Sequence, residues 1–598
     1  MNPGSAVDVP DGLDTHHTAP TASTSPPSSP APSPASETTT GASDVPRRID
    51  DCRRRLGRLA LASTGGAAGA MTSAPWELRW LAPLAVAALV ISVSGTRRRT
   101  AVLLGLVFGL VFVVLLVSWM RVIGTDAWLL VSAAAAVYYA LLALGLSVLH
   151  DARARARAHA HARARVPRRG RRWTVRAWPV WMAAWWVAVE SVMSTWPLGG
   201  FPWTRLAWTV IDTPLAGWVP WVGAAGTSFI VALCGGLGAA AVLGIHRVVR
   251  VARAARARRA HMCIRADAAR ASACVGLIGL VVGAPLLLPA PSTGPDWQQG
   301  EESVRVAAVQ GDVPGAGNDV VAVHRQVTVN HVNATTDLAQ QVRDGQAPQP
   351  DFVLWPENST AVDPFADQQT RQGIDKAAAA IGVPVVVGAI VDGDRPDEVL
   401  NQGLVWNETG VVTERYTKRH PVPFGEYIPF RKQLAGLQIG RLDMIPRDMT
   451  PGSRTKPLDI AGAKVADLIC FDVAFDDSVT AQVRRGAELV TVQTSNASFT
   501  GTAQLEQQFA ITRLRALETG RTVVVASTNG ISGAIGPDGE VLARLEPRTT
   551  AVLEVTVPLL DRQTSAVRFG ALVKNLIGLI GIGAVVAAGL RLRRGEST

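Results

Sequence analysis

Residues 101–120 read AVLLGLVFGLVFVVLLVSWM, an apolar run without a charged side chain. A run of about 20 apolar residues is the length at which one α-helix crosses a lipid bilayer. The chain repeats this pattern, and the clear runs are residues 78–95, 100–120, 127–149, 174–194, 218–243, 272–289 and 570–590. A shorter Gly/Ala-rich run at residues 59–71 brings the predicted number of crossings to eight.

The composition agrees with a membrane protein. Of the 598 residues, 48% are hydrophobic and 18% are charged, whereas soluble globular proteins carry about 25% charged residues. The net charge of +11 makes anionic partners worth considering. Five cysteines are too few for a disulfide framework in a chain of this length.

Arginine-rich connections predict the orientation of the crossings, because loops that stay in the cytoplasm carry an excess of Lys and Arg. Every second connection is basic, and these segments are residues 53–58, 97–99, 151–172, 247–270 and 591–594. Both termini are therefore predicted to be cytoplasmic. The Arg/Ala repeat at 152–165 is also typical of a nucleic-acid patch, but the orientation already explains it, and we expect no nucleic-acid partner.

The predicted organisation has five parts. Residues 1–52 are rich in Pro, Ser, Thr and Ala and bury too little apolar surface to fold, so they form a disordered cytoplasmic tail. Residues 53–292 form a transmembrane bundle of seven spans, and residues 300–560 form a domain outside the cytoplasm. Residues 568–590 form the final transmembrane helix, and residues 591–598 form a basic cytoplasmic tail.

The segment 300–560 has the pattern of an α/β domain. Short apolar runs of the kind found in strands covered on both faces occur at residues 306–309, 352–355, 385–391, 465–470, 489–492 and 522–526. Turn signals at residues 407–410 and 537–539 predict two hairpins. Apolar residues at helical spacing within 503–519 predict a helix that ends at Gly520.

Three side chains at the ends of these segments could carry nucleophilic chemistry. Cys470 ends one apolar run, Glu357 follows another, and Lys418 precedes a Pro-rich loop. A thiolate can attack a carbonyl, a carboxylate can remove the thiol proton, and an ammonium can stabilise the resulting oxyanion. Taken singly, each residue is also compatible with a non-catalytic role. Cys470 could be a buried inert thiol, Glu357 a solvated loop acid and Lys418 a solvated lysine.

Motifs for metals and cofactors are not found in the sequence. It contains neither H-E-x-x-H nor a paired C-x-x-C, and no phosphate-binding glycine loop joins a strand to a helix. We therefore expect no cofactor and no metal. A Cys–His pair with His420 is an alternative, although the neighbour of a basic loop lysine is more often just exposed.

Longer strings in the same chain resemble a known family. They are Trp355-Pro-Glu357, the PFGEYIP segment that ends at Pro429, Cys470-Phe-Asp472, Thr494-Ser-Asn496 and Thr528-Asn-Gly530. In this order they resemble the nitrilase superfamily and, within it, the apolipoprotein N-acyltransferase family. Glu190 and the GGFPW segment ending at Trp203 are similar to that family's membrane part. The resemblance spans about residues 55–590.

The resemblance implies a fold, an activity and a set of site residues. The fold is an α-β-β-α sandwich on an eight-helix membrane base. The implied activity moves an acyl chain from a membrane phospholipid, through a thioester, to the α-amino group of a diacylated apolipoprotein at the bacterial cell membrane. The implied catalytic residues are Cys470 as nucleophile, Glu357 as general base and Lys418 as oxyanion stabiliser. Supporting positions are Glu426, Phe471, Asp472 and Asn496, with Glu190 and Trp203 on the membrane side.

Two other functions fit parts of the pattern. A membrane-tethered amidase or nitrilase would use the same three residues with water as the acceptor. A lipid- or lipoprotein-binding membrane protein would need no catalytic set. Apolar residues between Phe424 and Ile445 further suggest a lid that contacts the bilayer, with ordinary packing onto the domain as the alternative.

Overall fold

The computed structural model describes residues 44–162, 177–254, 258–287, 302–318, 323–434 and 445–594. Residues 1–43 of the predicted disordered tail, 163–172 of the arginine-rich connection and 595–598 of the basic tail lie outside the described residues. Residues 44–52 of the predicted tail belong to a helix. Two compact units divide the chain, residues 1–54 and 55–598, and all contacts below lie within the second.

Seven α-helices precede the first strand among the described residues. They are α1 (Asp44–Ala70), α2 (Leu81–Val93), α3 (Arg98–Leu116), α4 (Thr125–Ala162), α5 (Trp178–Met193), α6 (Val219–Ala254) and α7 (Arg258–Gly283). Short 3₁₀ turns connect α3 to α4 and α5 to α6. Each helix overlaps one of the predicted apolar runs.

Five helical segments are long and apolar enough to cross a membrane in the part of the chain that the structure describes. They are Arg98–Leu116, Thr125–Ala156, Pro214–Arg253, Ile264–Leu287 and Ser565–Arg594. Helices α2 and α5 are shorter, with 13 and 16 residues. The number of eight crossings and their orientation therefore stay predictions.

Small residues let the helices of this bundle approach closely. A side chain added at Gly66 would place its Cβ 2.4 Å from the backbone oxygen of Phe108, and one at Gly105 would lie 2.3 Å from that of Tyr139. Both distances are shorter than any real contact, so these positions require glycine. Packing of small residues is the usual way in which membrane helices associate.

The α/β domain contains two mixed sheets. Its strands are β1 (Ser303–Gln310), β2 (Phe352–Leu354), β3 (Val385–Asp392), β4 (Glu398–Trp406), β5 (Val412–Thr417), β6 (Asp448–Met449), β7 (Leu458–Ile460), β8 (Ala463–Ile469), β9 (Leu489–Thr494), β10 (Val523–Ser527), β11 (Gly533–Ile535), β12 (Val541–Arg544) and β13 (Ala551–Pro558). One sheet has the order β13-β1-β2-β3-β4-β5, with β6 beside β4, and the other has the order β12-β11-β10-β9-β8-β7.

Helices cover the outer face of each sheet. They are α8 (His324–Arg343) and α9 (Gln368–Ile381) on the first sheet, the short α10 (Arg431–Leu434) in a loop, and α11 (Asp476–Arg484) and α12 (Gln504–Thr519) on the second. A buried apolar layer that includes Val306, Phe352 and Val465 joins the two sheets. The α-β-β-α sandwich expected from the resemblance is therefore confirmed. The chain then continues into the long helix α13 (Ser565–Arg594).

Local predictions in this domain are confirmed. Strands β4 and β5 pair antiparallel across the turn at residues 407–410, and β11 pairs with β12 across the turn at 537–539. Helix α12 ends at Gly520, whose φ of 64° is the left-handed conformation of a C-terminal cap. The apolar runs appear as strands because both faces of each central strand are covered.

Candidate active site

Glu357 lies just beyond the end of β2 and is only 3% exposed. Its Oε1 accepts hydrogen bonds from Asn401 Nδ2 at 2.8 Å and from Lys418 Nζ at 3.0 Å. Its Oε2 accepts one from the backbone N–H of Ser495 at 2.9 Å. The alternative of a solvated loop acid is therefore wrong, because three donors from three different segments hold this carboxylate inside the domain.

Lys418 follows β5 and is buried between two carboxylates. Its Nζ donates to Glu357 at 3.0 Å and to Glu426 Oε1 at 2.6 Å. Burial by itself would lower the pKa of Lys418, but Glu357 and Glu426 raise that pKa well above its ordinary value. Lys418 therefore keeps its charge, and the reading of a solvated lysine is wrong. Burial raises the pKa of Glu426, while Lys418 opposes that shift.

Cys470 begins a 3₁₀ turn directly after β8, where the sequence predicted a reactive group. Its φ of 51° is in the left-handed region, which residues other than glycine rarely adopt. Asn496 after β9 and Asn358 after Glu357 have the same kind of backbone, with φ of 55° and 58°. Strained residues of this kind collect at functional sites, where the surrounding structure holds them in place.

The electrostatic surroundings of Cys470 keep its sulfur protonated. Burial and the charge of Glu357 raise the pKa of the Cys470 thiol, while the Lys418 ammonium and a hydrogen bond with Thr494 lower it. The net shift is upward. A nucleophile in this state needs a base to remove its proton, and Glu357 is a carboxylate within its electrostatic reach.

Asp472 ties the Cys470 segment to the Lys418 segment. Its Oδ2 accepts hydrogen bonds from the hydroxyl of Tyr416 at 2.8 Å and from the backbone N–H of Arg419 at 3.2 Å. Its Oδ1 accepts one from the backbone N–H of His420 at 2.9 Å. These donors flank Lys418 on both sides, so Asp472 fixes the position of the ammonium relative to the sulfur.

Asn496 is held on all sides by buried polar groups. Its Oδ1 accepts from the hydroxyls of Thr494 at 3.0 Å and Ser527 at 3.1 Å. Its Nδ2 donates to Gln504 at 2.9 Å and Gln508 at 3.1 Å, both on α12. The amide therefore supports the loop that carries Ser495, the backbone donor to Glu357.

An aromatic wall from the membrane part borders the Cys470 segment. The ring of Phe471 stacks on Trp203 with centroids 6.0 Å apart. Trp203 Nε1 donates to Gln507 Oε1 at 2.8 Å, and Trp119 Nε1 donates to the same oxygen at 3.0 Å. Gln507 lies on α12, so one buried amide of the α/β domain positions two tryptophans of the helical part.

Glu190, which the resemblance places on the membrane side, faces the bundle interior and is 4% exposed. Its Oε2 accepts a hydrogen bond from the backbone N–H of Leu206 at 3.0 Å, and Oε1 lies 3.7 Å from Arg205. These contacts fix the residues just after Trp203, because Arg205 turns inward to meet the acid.

Two weaker predictions concerned the Cys–His pair with His420 and the lid between Phe424 and Ile445. His420 stacks on Phe475 with centroids 3.8 Å apart, and its Nε2 lies 3.0 Å from Asp477 Oδ1, so it is partly buried and paired with an acid. In the predicted lid, Phe430 is 67% exposed and Ile428 is buried. Residues 435–444 of the lid lie outside the described residues.

Sequence reasoning missed several residues of this site. Asn401 and Ser495 bind the carboxylate of Glu357, and Gln507 positions the aromatic wall. The sequence offered one signal for these residues, namely the polar Asn401 within the apolar strand β4. Among the described residues, no group of three or more His, Cys, Asp or Glu side chains is placed to hold a metal ion.

Comparisons with known proteins identify the family of this chain. A family model described as the apolipoprotein N-acyltransferase N-terminal domain matches residues 65–237, and one described as carbon-nitrogen hydrolase matches residues 305–566. The apolipoprotein N-acyltransferase of Mycolicibacterium smegmatis is 33% identical over 549 residues, covering 89% of this chain and 85% of that protein. The chain belongs to the apolipoprotein N-acyltransferase family.

More distant relatives give the same result. The apolipoprotein N-acyltransferase of Bordetella bronchiseptica is 30% identical over 571 residues, covering 90% of this chain and 97% of that protein. That of Shewanella oneidensis is 25% identical and covers 86% of this chain and 92% of that protein. The protein is therefore an acyltransferase of the nitrilase superfamily that acts on apolipoproteins in a membrane setting.

Proposed function

We propose that this acyltransferase works through an acyl-enzyme on Cys470, with Glu357 as general base and Lys418 as oxyanion stabiliser. The observation that carries the proposal is the buried chain of contacts from Glu426 through Lys418 to Glu357, all three of which act electrostatically on the Cys470 thiol. A thiol nucleophile, a carboxylate base and a fixed ammonium are three groups that together can carry acyl transfer through a thioester.

The first half-reaction takes the acyl chain from a membrane phospholipid. Glu357 removes the Cys470 proton as the sulfur attacks the ester carbonyl, and Lys418 stabilises the negative oxygen of the tetrahedral intermediate. The intermediate collapses, the C–O bond of the ester breaks, and Glu357 returns the proton to the departing alkoxide. The products are a lysophospholipid and a thioester on Cys470.

The second half-reaction passes the chain to the apolipoprotein. The neutral α-amino group of its diacylglyceryl-cysteine attacks the thioester, Glu357 takes the released proton, and the C–S bond breaks. An α-amino group with a pKa of about 7.7–8.0 is partly neutral at ordinary pH, so this step needs little further activation. The proton returns to sulfur and Cys470 is regenerated.

The aromatic wall supports an amine acceptor over water. Phe471 and Trp203 border the Cys470 segment and cover it from the membrane side. A dry, apolar border lengthens the life of a thioester, because hydrolysis competes with aminolysis. We further propose that eight crossings place this site at the outer surface of the cell membrane, with both termini in the cytoplasm, as the arginine-rich connections indicate.

The test is detection of the acyl-enzyme. Purified protein incubated with phospholipid and no acceptor should gain the mass of one acyl chain, and hydroxylamine should remove it. Cys470→Ala should show neither the adduct nor product, while Cys274→Ala, a thiol of the helical part, should behave as wild type. Product formation by Cys470→Ala, or an adduct on another residue, would overturn the proposal.

A further inference from the structure

A second cluster of polar groups lies far from Cys470, where α4, α5 and α6 end or begin. Arg153 on α4 places its guanidinium carbon 4.3 Å from the ring centroid of Trp178, the first residue of α5. His150, one turn earlier on α4, meets the same ring edge-on at 6.3 Å. Arg153 is 9% exposed and Trp178 is 2% exposed, so both are buried side chains.

Three nitrogen atoms of this cluster have no hydrogen-bond partner among the described residues. They are Arg153 Nε, Trp178 Nε1 and His150 Nδ1. Arginine and tryptophan nitrogens are donors only. Buried donors without acceptors are rare in folded proteins, and each one requires an explanation. Among the described residues, no oxygen atom accepts a hydrogen bond from these three nitrogens.

Positive charge is also in excess around the cluster, because Arg153, Arg247 and Arg58 all act on His150. Arg153 lies within electrostatic reach of Arg247 and Arg270, and Asp267, the acid in reach, pairs with Arg270 at 2.8 Å. Asp151 is the next acid along the chain, and the cations that act on it are Arg98 and Arg155. Residues 152–189 and 213–266 contain neither Asp nor Glu. A buried guanidinium among like charges is stable only with a counter-ion.

The position of the cluster indicates the source of that counter-ion. Helix α4 starts at Thr125, next to the 3₁₀ turn whose Trp119 contacts the α/β domain. Arg153 follows 28 residues later (153 − 125), which is about 42 Å along the helix at 1.5 Å per residue. A bilayer including its headgroups is about 40–45 Å thick. Arg153 is therefore one full bilayer away from the catalytic end of the bundle.

We propose that Arg153, Trp178 and His150 form a binding site for the phosphate group of an anionic phospholipid in the leaflet opposite the active site. A phosphate diester supplies both the missing negative charge and the missing acceptor oxygens, and an arginine fork suits its geometry. Basic pockets between membrane helices on the cytoplasmic side bind acidic headgroups in this way. The acyl chains would lie along the helices, while the headgroup would neutralise Arg153.

The experiment measures lipid-dependent stability of the full chain. It uses the Cys470→Ala protein, so that no lipid is consumed, in nanodiscs of phosphatidylcholine with or without phosphatidylglycerol. We expect phosphatidylglycerol to raise the unfolding temperature and to be retained in native mass spectra. Arg153→Gln should weaken this binding roughly 10-fold or more, which corresponds to the loss of a charge-assisted hydrogen bond.

Two further variants keep the result interpretable. Trp178→Phe retains the ring and removes only the Nε1 donor, so it should weaken binding even where Arg153→Gln does not fold. Arg121→Gln is the matched control, because Arg121 also stacks on a tryptophan, at 5.2 Å, but is exposed. It should keep the full response to phosphatidylglycerol.

Inorganic phosphate distinguishes the two sources of the ligand. If phosphate at constant ionic strength stabilises the protein in pure phosphatidylcholine as well as phosphatidylglycerol does, the occupant is the free ion and the lipid assignment is wrong. If Arg153→Gln and Trp178→Phe both fold and keep the full response to phosphatidylglycerol, the site itself is wrong. Loss of the response in both variants, with no effect of free phosphate, supports the proposal.

Discussion

Two clusters of charged side chains lie near the Cys470 segment, and they differ in their charge balance. In the site cluster, one ammonium, Lys418, lies between the carboxylates of Glu357 and Glu426. In the interface cluster, three cations face three carboxylates; the cations are Arg205, Arg515 and Lys574, and the carboxylates are Asp476, Glu518 and Glu190. The first cluster has an excess negative charge that can take up a proton, whereas the second is matched.

The interface cluster is built for rigidity. Arg515 donates to the backbone oxygens of Val473 at 2.7 Å and Ala474 at 3.0 Å, in the 3₁₀ turn that starts at Cys470. Burial would raise the pKa of Asp476, but Arg205 and Arg515 hold it well below its ordinary value. A charge-matched set of ions thus holds the turn that starts at Cys470, while the unbalanced set around Lys418 carries the proton chemistry.

Removing the ammonium of the site cluster should have the largest effect. Lys418→Met leaves two buried carboxylates facing each other, so we expect a loss of stability of about 3–5 kcal/mol. Transfer activity should fall roughly 10²–10³-fold, because the oxyanion loses its donor. Chemical unfolding in detergent and transfer to a diacylated lipopeptide measure the two effects.

The double variant Lys418→Met/Glu426→Gln separates charge balance from chemistry. Removing one carboxylate relieves the repulsion, so stability should return towards wild type while activity stays low. Recovery of activity in the double variant would show that Lys418 only balances charge and does not stabilise the oxyanion.

Breaking the interface cluster should affect stability more than chemistry. Arg515→Met leaves Glu518 without its guanidinium, removes one of the two guanidiniums that contact Asp476, and leaves two carbonyls without a donor, so we expect a loss of about 3–5 kcal/mol. Activity per folded molecule should fall less than about tenfold, because no reacting group is removed. The control Arg515→Lys keeps the charge and should lose less stability. A loss of activity as large as that of Lys418→Met, with stability unchanged, would erase the distinction between the clusters.

The sequence predicted the reacting groups because they lie at segment ends that local patterns reveal. Apolar runs identified β2 and β8, and the residues that follow them are Glu357 and Cys470. It could not place the partners of these groups. Ser495 is 138 residues from Glu357 in the chain and Asn401 is 44 residues away, so only the folded sandwich brings them together.

The interface between the helical part and the α/β domain could not be predicted from the sequence either. Gln507 and Arg515 lie on α12, where they read as ordinary polar positions of an amphipathic helix. They are buried because the helical part covers that face of the domain, and no local pattern records which face is covered. Glu190 shows the same limit, because its burial was predictable but its partner Arg205 was not.

Asp467 provides a buried carboxylate without a cation, in contrast to both clusters. It is fully buried on β8, its Oδ1 accepts a hydrogen bond from Thr491 at 2.8 Å, and its Oδ2 has no partner among the described residues. Burial raises the pKa of Asp467 to about 7. The folded state therefore keeps a proton that the unfolded state releases above a pH of about 4.

The sign of the pH effect follows from that proton. As the pH rises from about 4 to about 7, this group should lower the stability of the fold by up to about 1.4 kcal/mol per pH unit, and the decrease should level off above about 7. Asp467→Asn should remove this contribution to the pH dependence of stability. The control Asp459→Asn, at an exposed position, should leave it unchanged. Equal pH dependence of stability in wild type and Asp467→Asn would show that the carboxyl group has a partner cation.

The smallest effect is expected for an ion pair at the surface. Arg544 Nη2 lies 2.6 Å from Glu506 Oε1, a distance as short as those in the buried clusters, but the two side chains are 32% and 43% exposed. Water and salt screen such a pair, so a double-mutant cycle with Arg544→Gln and Glu506→Gln should give a coupling of about 0.2–1 kcal/mol that weakens with added salt. The cycle isolates the role of burial, because distance is held nearly constant between this pair and the buried ones. A coupling of several kcal/mol here would mean that short contact alone, and not exclusion from water, gives the two buried clusters their strength.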